Sequence, residues 1–245
     1  MTARELYQYL DKIAPFASAL DFDNPGLLVG DPAARADKLL LSLDCTLPAV
    51  QRAQDIGASV ILTHHPVIFD PLTSVTAGSV VWALAQSGIT VISAHTNLDF
   101  AAGGVCDTLC TLAGLTGITA EEGGLRMGRT APVPAEAFAA RVADALHCRP
   151  RFIAGRRPVQ RVAVCSGSGG GFLQQAMALG CDTLLTGDVK YSVFITAANM
   201  GVTLVDAGHF ETEQIILPVL QKQLAEAFPD VETEIFDCNP IQVLK

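Results

Sequence analysis

Apolar residues along this chain gather into short runs, each closed by polar residues and followed by a segment with helical spacing. Lys38 to Leu43, Ser59 to Leu62 and Ile89 to Ala94 are nearly continuous in Leu, Ile, Val and Ala, the pattern of strands buried on both faces. Leu47 to Ile56 and Ser79 to Ser87 lie between them with helical patterns, and Gly57 and Gly88 stop those helices just before the next strand. The rhythm returns in Arg161 to Cys165, Thr183 to Thr186 and Val202 to Asp206, with Phe172 to Leu179 and a helix near Ile195 between them, followed by Gly180 and Gly201. Helices at Ala135 to Leu146 and Thr212 to Ala227 complete the pattern. Strand-helix-strand order predicts an α/β chain with partly parallel sheets. Gly117 to Pro134, rich in Gly and Pro, is the expected junction between a first domain at 1–120 and a second at 121–245.

Composition narrows the function classes. Hydrophobic residues make up 50% of the chain and charged ones 17%, enough apolar material for a large core. Runs such as Ser59 to Leu62 are too short to span a bilayer, and Met1 to Phe16 mixes Arg4, Glu5, Asp11 and Lys12 into its apolar positions, unlike a secretory leader. The expected location is cytoplasmic, with no membrane partner. A net charge of -9 argues against unspecific nucleic-acid binding. One region departs from this: Arg149, Arg151, Arg156, Arg157 and Arg161 crowd a stretch almost without acids, either a solvated loop and strand edge or an anion-attracting entrance to a site. Seven cysteines include no C-x-x-C pair, and core packing accounts for them better than chemistry does.

The polar residues after the strands carry the chemistry. Four of the five histidines fall in three short segments with carboxylates: Thr63-His64-His65-Pro66, His95-Thr96-Asn97-Leu98-Asp99, and Gly208-His209 with Glu213 four residues on. Imidazole nitrogen and carboxylate oxygen are ligands for first-row transition metals, and groups outside the carboxyl ends of α/β strands face a common crevice. Each segment also has a plainer explanation. Adjacent strand residues point to opposite faces, so His64 and His65 reach one site only if Pro66 breaks the strand; otherwise they are a loop pair. His209 and Glu213 suit an exposed helix start, His95 a core histidine, and Asp99 a loop closure. Ser166 to Gly171 is either a phosphate cradle or a tight strand-to-helix turn. Asp188 suits a turn cap, and Asp44 or Thr46 starts the helix that contains Pro48.

Five blocks then resemble a known family: Phe22-Asp23-Asn24-Pro25-Gly26-Leu27-Leu28-Val29-Gly30, Thr63 to Pro66, His95 to Asp99, Thr186-Gly187-Asp188-Val189-Lys190-Tyr191, and Asp206-Ala207-Gly208-His209-Phe210-Glu211-Thr212-Glu213. In order and over nearly the whole chain, they look like the signature blocks of the NIF-three-like family, whose members carry a dinuclear metal centre and are often named GTP cyclohydrolase I type 2. The resemblance implies metal ligands at His64, His65, Asp99, His209 and Glu213, with carboxylates bridging two ions. It also implies two similar α/β domains, the metal site in the crevice between them, and a toroidal homohexamer. Two departures stand out. Ser192 occupies a position where members often carry His, and the stretch from Gly117 to Arg161 is too short for the domain that longer relatives insert.

Two divalent ions, zinc, iron or manganese by ligand type, would activate water and stabilise the oxygens of a displacement. The expected activity is metal-dependent hydrolysis of an anionic small molecule, a phosphoester or nucleotide, with His95 and Asp188 as candidates for handling protons. The competing expectation is a non-catalytic metal-binding ring that buffers ions or scaffolds partners.

Overall fold

The computed structural model describes residues 1–242. They form two compact units: Met1–Ala101 with the segment from Ile216 onward, and Ala102–Ile215.

The first unit opens with α1 (Ala3–Ile13), started by a reciprocal capping box between Thr2 and Glu5. Ala3, Leu6 and Leu10 are its buried stripe, and Arg4, Glu5, Asp11 and Lys12 its exposed face. Those charges mark an amphipathic helix that the sequence pattern does not single out. A five-stranded sheet follows in the order β1 (Gly26–Val29), β4 (Thr90–Ser93), β3 (Val60–Thr63), β2 (Lys38–Ser42) and β11 (Glu232–Phe236). β4, β3, β2 and β11 run parallel, and β1 lies antiparallel on β4. Every residue of β3 and β4 is buried, which explains their unbroken apolar runs. The helices α2 (Leu47–Ile56) and α3 (Val80–Ser87) pack Val50, Ala53 and Leu84 against Leu40, Ile61 and Val91. Thr46, not Asp44, caps α2, and Gly57 ends it at φ 71°. The short α4 (Thr96–Phe100) follows β4.

The second unit starts with α5 (Val105–Leu112) and carries a six-stranded sheet. Its order is β5 (Thr116–Ala120), β6 (Arg126–Val133), β8 (Val159–Val164), β9 (Thr183–Thr186), β10 (Thr203–Asp206) and β7 (Arg151–Ile153). β8, β9 and β10 are parallel; the flanking strands are antiparallel. Alternate residues feed two cores. Val162, Val164, Leu185 and Val205 meet Leu109 of α5 and Phe138 and Val142 of α6 (Ala135–Leu146) on one face. Ala163, Leu184 and Leu204 meet Leu173 and Ala176 of α7 (Leu173–Ala178) and Ala197 of α8 (Tyr191–Met200) on the other. Two mixed, partly parallel sheets with helices confirm the expected α/β class. Among the described residues no helix is long and apolar enough to cross a membrane.

The structure revises the expected division of the chain. Gly117 to Pro134 holds β5 and β6, and Gly123 and Gly124 serve the turn between them at φ 76° and 85°, so no junction lies there. The chain changes unit after Ala101, and the segment from Ile216 onward belongs to the first unit, not the second. The cause is β11, which pairs in parallel along the full length of β2, from Glu232 opposite Lys38 to Phe236 opposite Ser42. The predicted helix from Thr212 to Ala227 is likewise two, α9 (His209–Glu213) and α10 (Ile216–Ala227), with the change of unit falling between them.

Phe138 is fully buried, so Phe138→Ala should lower the unfolding free energy by about 3–5 kcal/mol. Urea denaturation reads this directly. A loss below about 1 kcal/mol would mean that the ring is not a packed element of the core.

Candidate metal centre

In the first unit the three strand ends β2, β3 and β4 deliver Asp44, His64 with His65, and His95. The chain leaves β3 at His64. The chain bends at His64 and His65; the His65 amide still reaches Leu43 O at 2.9 Å, and Thr63 Oγ1 donates to His65 O at 2.9 Å. Both rings therefore come to one side, as the Pro66 break predicts. Ring centroids of His64 and His65 are 5.2 Å apart, and the His95 ring is 5.1 Å from the first and 5.5 Å from the second. One ligand nitrogen of each of the three lies within 4.8 Å of the others.

Each imidazole is held by Nδ1. His64 Nδ1 is 2.8 Å from Ala94 O, His65 Nδ1 2.7 Å from Asp44 Oδ1, and His95 Nδ1 2.8 Å from Asp23 Oδ1. An oxygen acceptor at Nδ1 fixes the proton there and leaves Nε2 as the presenting lone pair. Asp99, buried in α4, puts Oδ1 3.6 Å from His64 Nε2. Asn97 anchors that turn, accepting from the His95 amide at 2.9 Å and donating to Ala14 O at 2.7 Å.

Asp23 is the best-supported of these acceptors. Burial alone would raise its pKa, but hydrogen bonds from His95 and from Thr96, with the His95 charge, outweigh burial and bring it to about 2.

In the second unit His209 opens α9 and Glu213 closes it. Their spacing places His209 Nε2 3.1 Å from Glu213 Oε2. His209 Nδ1 is held in the same way as the other three, 2.8 Å from Asp188 Oδ2. Asp188 takes up φ 49°, a left-handed conformation that Asp tolerates, to direct its carboxylate there. Glycine is required at Gly167, at φ 57°, because a Cβ would overlap Glu213 Oε1 and approach His209 Nε2 to 3.3 Å. The Gly167 amide donates to Thr212 Oγ1 at 3.0 Å, which ties α9 to the loop after β8.

That loop is a tight turn. The Gly169 amide donates to Thr186 Oγ1 at 2.8 Å, so the Gly167 and Gly169 amides are spent inside the protein, which favours the tight-turn expectation over the phosphate cradle. Arg156, Arg157 and Arg161 do not form an entrance to this site. Arg151 binds the buried Asp206, and Arg156, Arg157 and Arg161 lie at the opposite ends of β8, β9 and β10 from His209. Ser192 is exposed in the first turn of α8, and His147, the fifth histidine, ends α6 at φ 53°. No disulfide forms among the described residues. Burial, with nearby acids or thiols, pushes the thiols of Cys45 and Cys110 up to about 12, and Cys148 and Cys181 up to about 11, so all four stay protonated at neutral pH.

Asp44 and Asp23 are the site residues that sequence reasoning missed. Asp44 stands directly after a strand, and Asp23 lies in the first signature block, but neither position alone names a histidine partner.

The fold is α/β, and its strand ends present histidine and carboxylate groups of a kind that could hold metal ions. Comparison with known proteins narrows the class. The chain belongs to the Duf34/NIF3 (NGG1p interacting factor 3) family, whose model matches residues 1–241. A Clostridium perfringens relative named GTP cyclohydrolase 1 type 2 homolog is 32% identical, the match covering 95% of each chain. Among solved structures, a hypothetical protein of Staphylococcus aureus superposes with TM-score 0.93 at 27% identity, covering 100% of this chain and 99% of that one. Reduced HcgD from Methanocaldococcus jannaschii does so with TM-score 0.87 at 29% identity, covering 96% and 97%.

The depressed pKa of Asp23 has a pH signature. Its contribution to stability is complete above the ordinary value of 3.8 and is lost as pH falls through about 2. The stability gap between wild type and Asp23→Asn, measured by urea denaturation, should therefore shrink steadily as pH falls from about 4 toward 2. A gap that does not change with pH would remove the charged Asp23 from the support of His95.

Proposed function

We propose that the chain is a two-metal hydrolase of phosphoesters or nucleotides, with His64, His65, Asp99, His209 and Glu213 as the ligands of two divalent ions. The observation that carries this is the shared state of the histidines: all four at the strand ends have Nδ1 held by an oxygen, and so offer Nε2. Core histidines need no such uniformity, whereas metal-ligating histidines adopt it because the outer acceptor fixes the tautomer and raises the basicity of the ligating nitrogen. The donor set is mixed nitrogen and oxygen, which suits zinc, iron or manganese.

When bound, paired ions supply Lewis acidity toward a phosphoryl oxygen and acidify water. The protein's residues do the rest. Asp44 and Asp188 hold His65 and His209 in register, so Asp188 is a positioning residue and not a proton carrier. His95, backed by Asp23, takes a proton from the attacking water at Nε2 and returns it to the leaving oxygen. The names of relatives such as the Clostridium perfringens protein support a nucleotide as the substrate class. Assembly into a ring of six copies, as the family resemblance implies, belongs to the same proposal.

Elemental analysis of purified protein should find bound metal in wild type and a large loss in both Asp99→Ala and Glu213→Ala. A metal-dependent screen of phosphoesters and nucleotides should give turnover in wild type alone. Metal without turnover across the whole screen would favour an ion-buffering ring, and unchanged metal in both variants would defeat the ligand assignment.

His95→Asn should keep its metal and lose turnover by about two to four orders of magnitude. Loss of metal in this variant would instead make His95 a ligand, and full activity would remove it from the mechanism.

A further inference from the structure

The arginines of the second unit remain without a role in this scheme. Arg156, Arg157 and Arg161 line one cavity of about 640 Å³ at the amino ends of β8, β9 and β10. The metal-ligand residues of this unit lie past the carboxyl ends of the same strands, and four strand residues span about 13 Å.

Positive charge in this cavity has no ion-pair partner. In a chain of net charge -9, Arg35, Arg52, Arg126 and Arg151 each lie against a carboxylate. Among the described residues, Arg156, Arg157 and Arg161 have no carboxylate partner. The acid in the lining, Asp182, is committed to the backbone. Its Oδ1 accepts from the Gln160 amide at 3.0 Å and its Oδ2 from the Arg161 amide at 2.9 Å.

Two of the guanidiniums are also pre-positioned. Arg161 Nη2 donates to Leu179 O at 3.0 Å, just past α7, and Arg156 Nη2 to Asn199 O at 3.3 Å, in the last turn of α8. Arg156 lies so close over Gly201 that a Cβ there would come within 2.7 Å of its side chain. Each has several N–H donors left over. Two helix ends contribute about half a negative charge each, so with Asp182 the three arginines leave about one net positive charge in the cavity. That surplus resides in Arg157, which is exposed and makes no hydrogen bond among the described residues. Met177, Met200 and Val202 supply an apolar wall beside it.

We infer that this cavity is an anion site for a small organic phosphate, separate from the metal centre. The forked guanidiniums take the phosphate oxygens, and the methionine wall takes the organic body.

The test is calorimetric titration of full-length protein, stripped of metal with a chelator and then desalted, against AMP, inorganic phosphate and adenosine. AMP should bind without metal, more tightly than phosphate or adenosine, and less tightly as salt is raised. Arg157→Glu, which leaves every described hydrogen bond in place, should weaken AMP at least tenfold, and His209→Ala should leave it unchanged. Absence of AMP binding to wild type, equal binding by Arg157→Glu, or loss of binding in His209→Ala would each overturn the assignment. Phosphate binding as tightly as AMP would remove the organic body from it.

Discussion

The register of three parallel strands governs the first half of the candidate site. Ser42, Thr63 and Ser93 stand opposite one another across β2, β3 and β4, so the chain leaves all three strands at one level. The acceptor for each β3 imidazole is then supplied by a neighbouring strand: Ala94 O after β4 for His64, and Asp44 after β2 for His65. A slip of β3 by one residue would turn the buried faces over and separate His64 and His65 from their acceptors. Doubly buried apolar strands make such a slip costly, which links the Leu, Ile and Val content of these runs to the placement of polar groups at their ends.

The second unit reaches a similar arrangement by closer packing of backbone. Thr186 is opposite Asp206 across β9 and β10, and a Cβ at Gly187 would come within 2.6 Å of Gly208 O. That contact brings the loop carrying Asp188 against the start of α9, where His209 stands. Buried Asp206 reinforces it, accepting from the amides of Val189 at 3.1 Å and Gly208 at 3.1 Å. Gly187 and Gly208 thus act through the space they leave, and their effect on His209 is indirect.

Much of this was legible in sequence because it is local. The parallel strands announce themselves by continuous apolar runs, their helices by period and by terminal glycines such as Gly57 and Gly88. What stayed hidden depends on partners far along the chain. β11 is half exposed and lacks a strong apolar pattern; only its pairing with β2 makes it a strand of the first sheet. β5 is exposed at every residue, so its sequence carries no burial signal at all. Asp23 meets His95 across 72 positions, a relation no spacing rule can show. The arginine cluster was visible as charge, but which end of the sheet it occupies depends on the direction of β8.

The return of the chain to β2 sets an order of events during synthesis. The second unit is one continuous segment, complete once Ile215 has emerged. The first unit begins earlier and finishes later, because its fifth strand lies beyond residue 231. Until then β2, with Leu39, Leu40 and Leu41, is an open sheet edge able to pair with another nascent chain. The inserted arrangement therefore places the vulnerable interval of folding in the unit that carries His64 and His65, and makes β11 the closing piece that ends it.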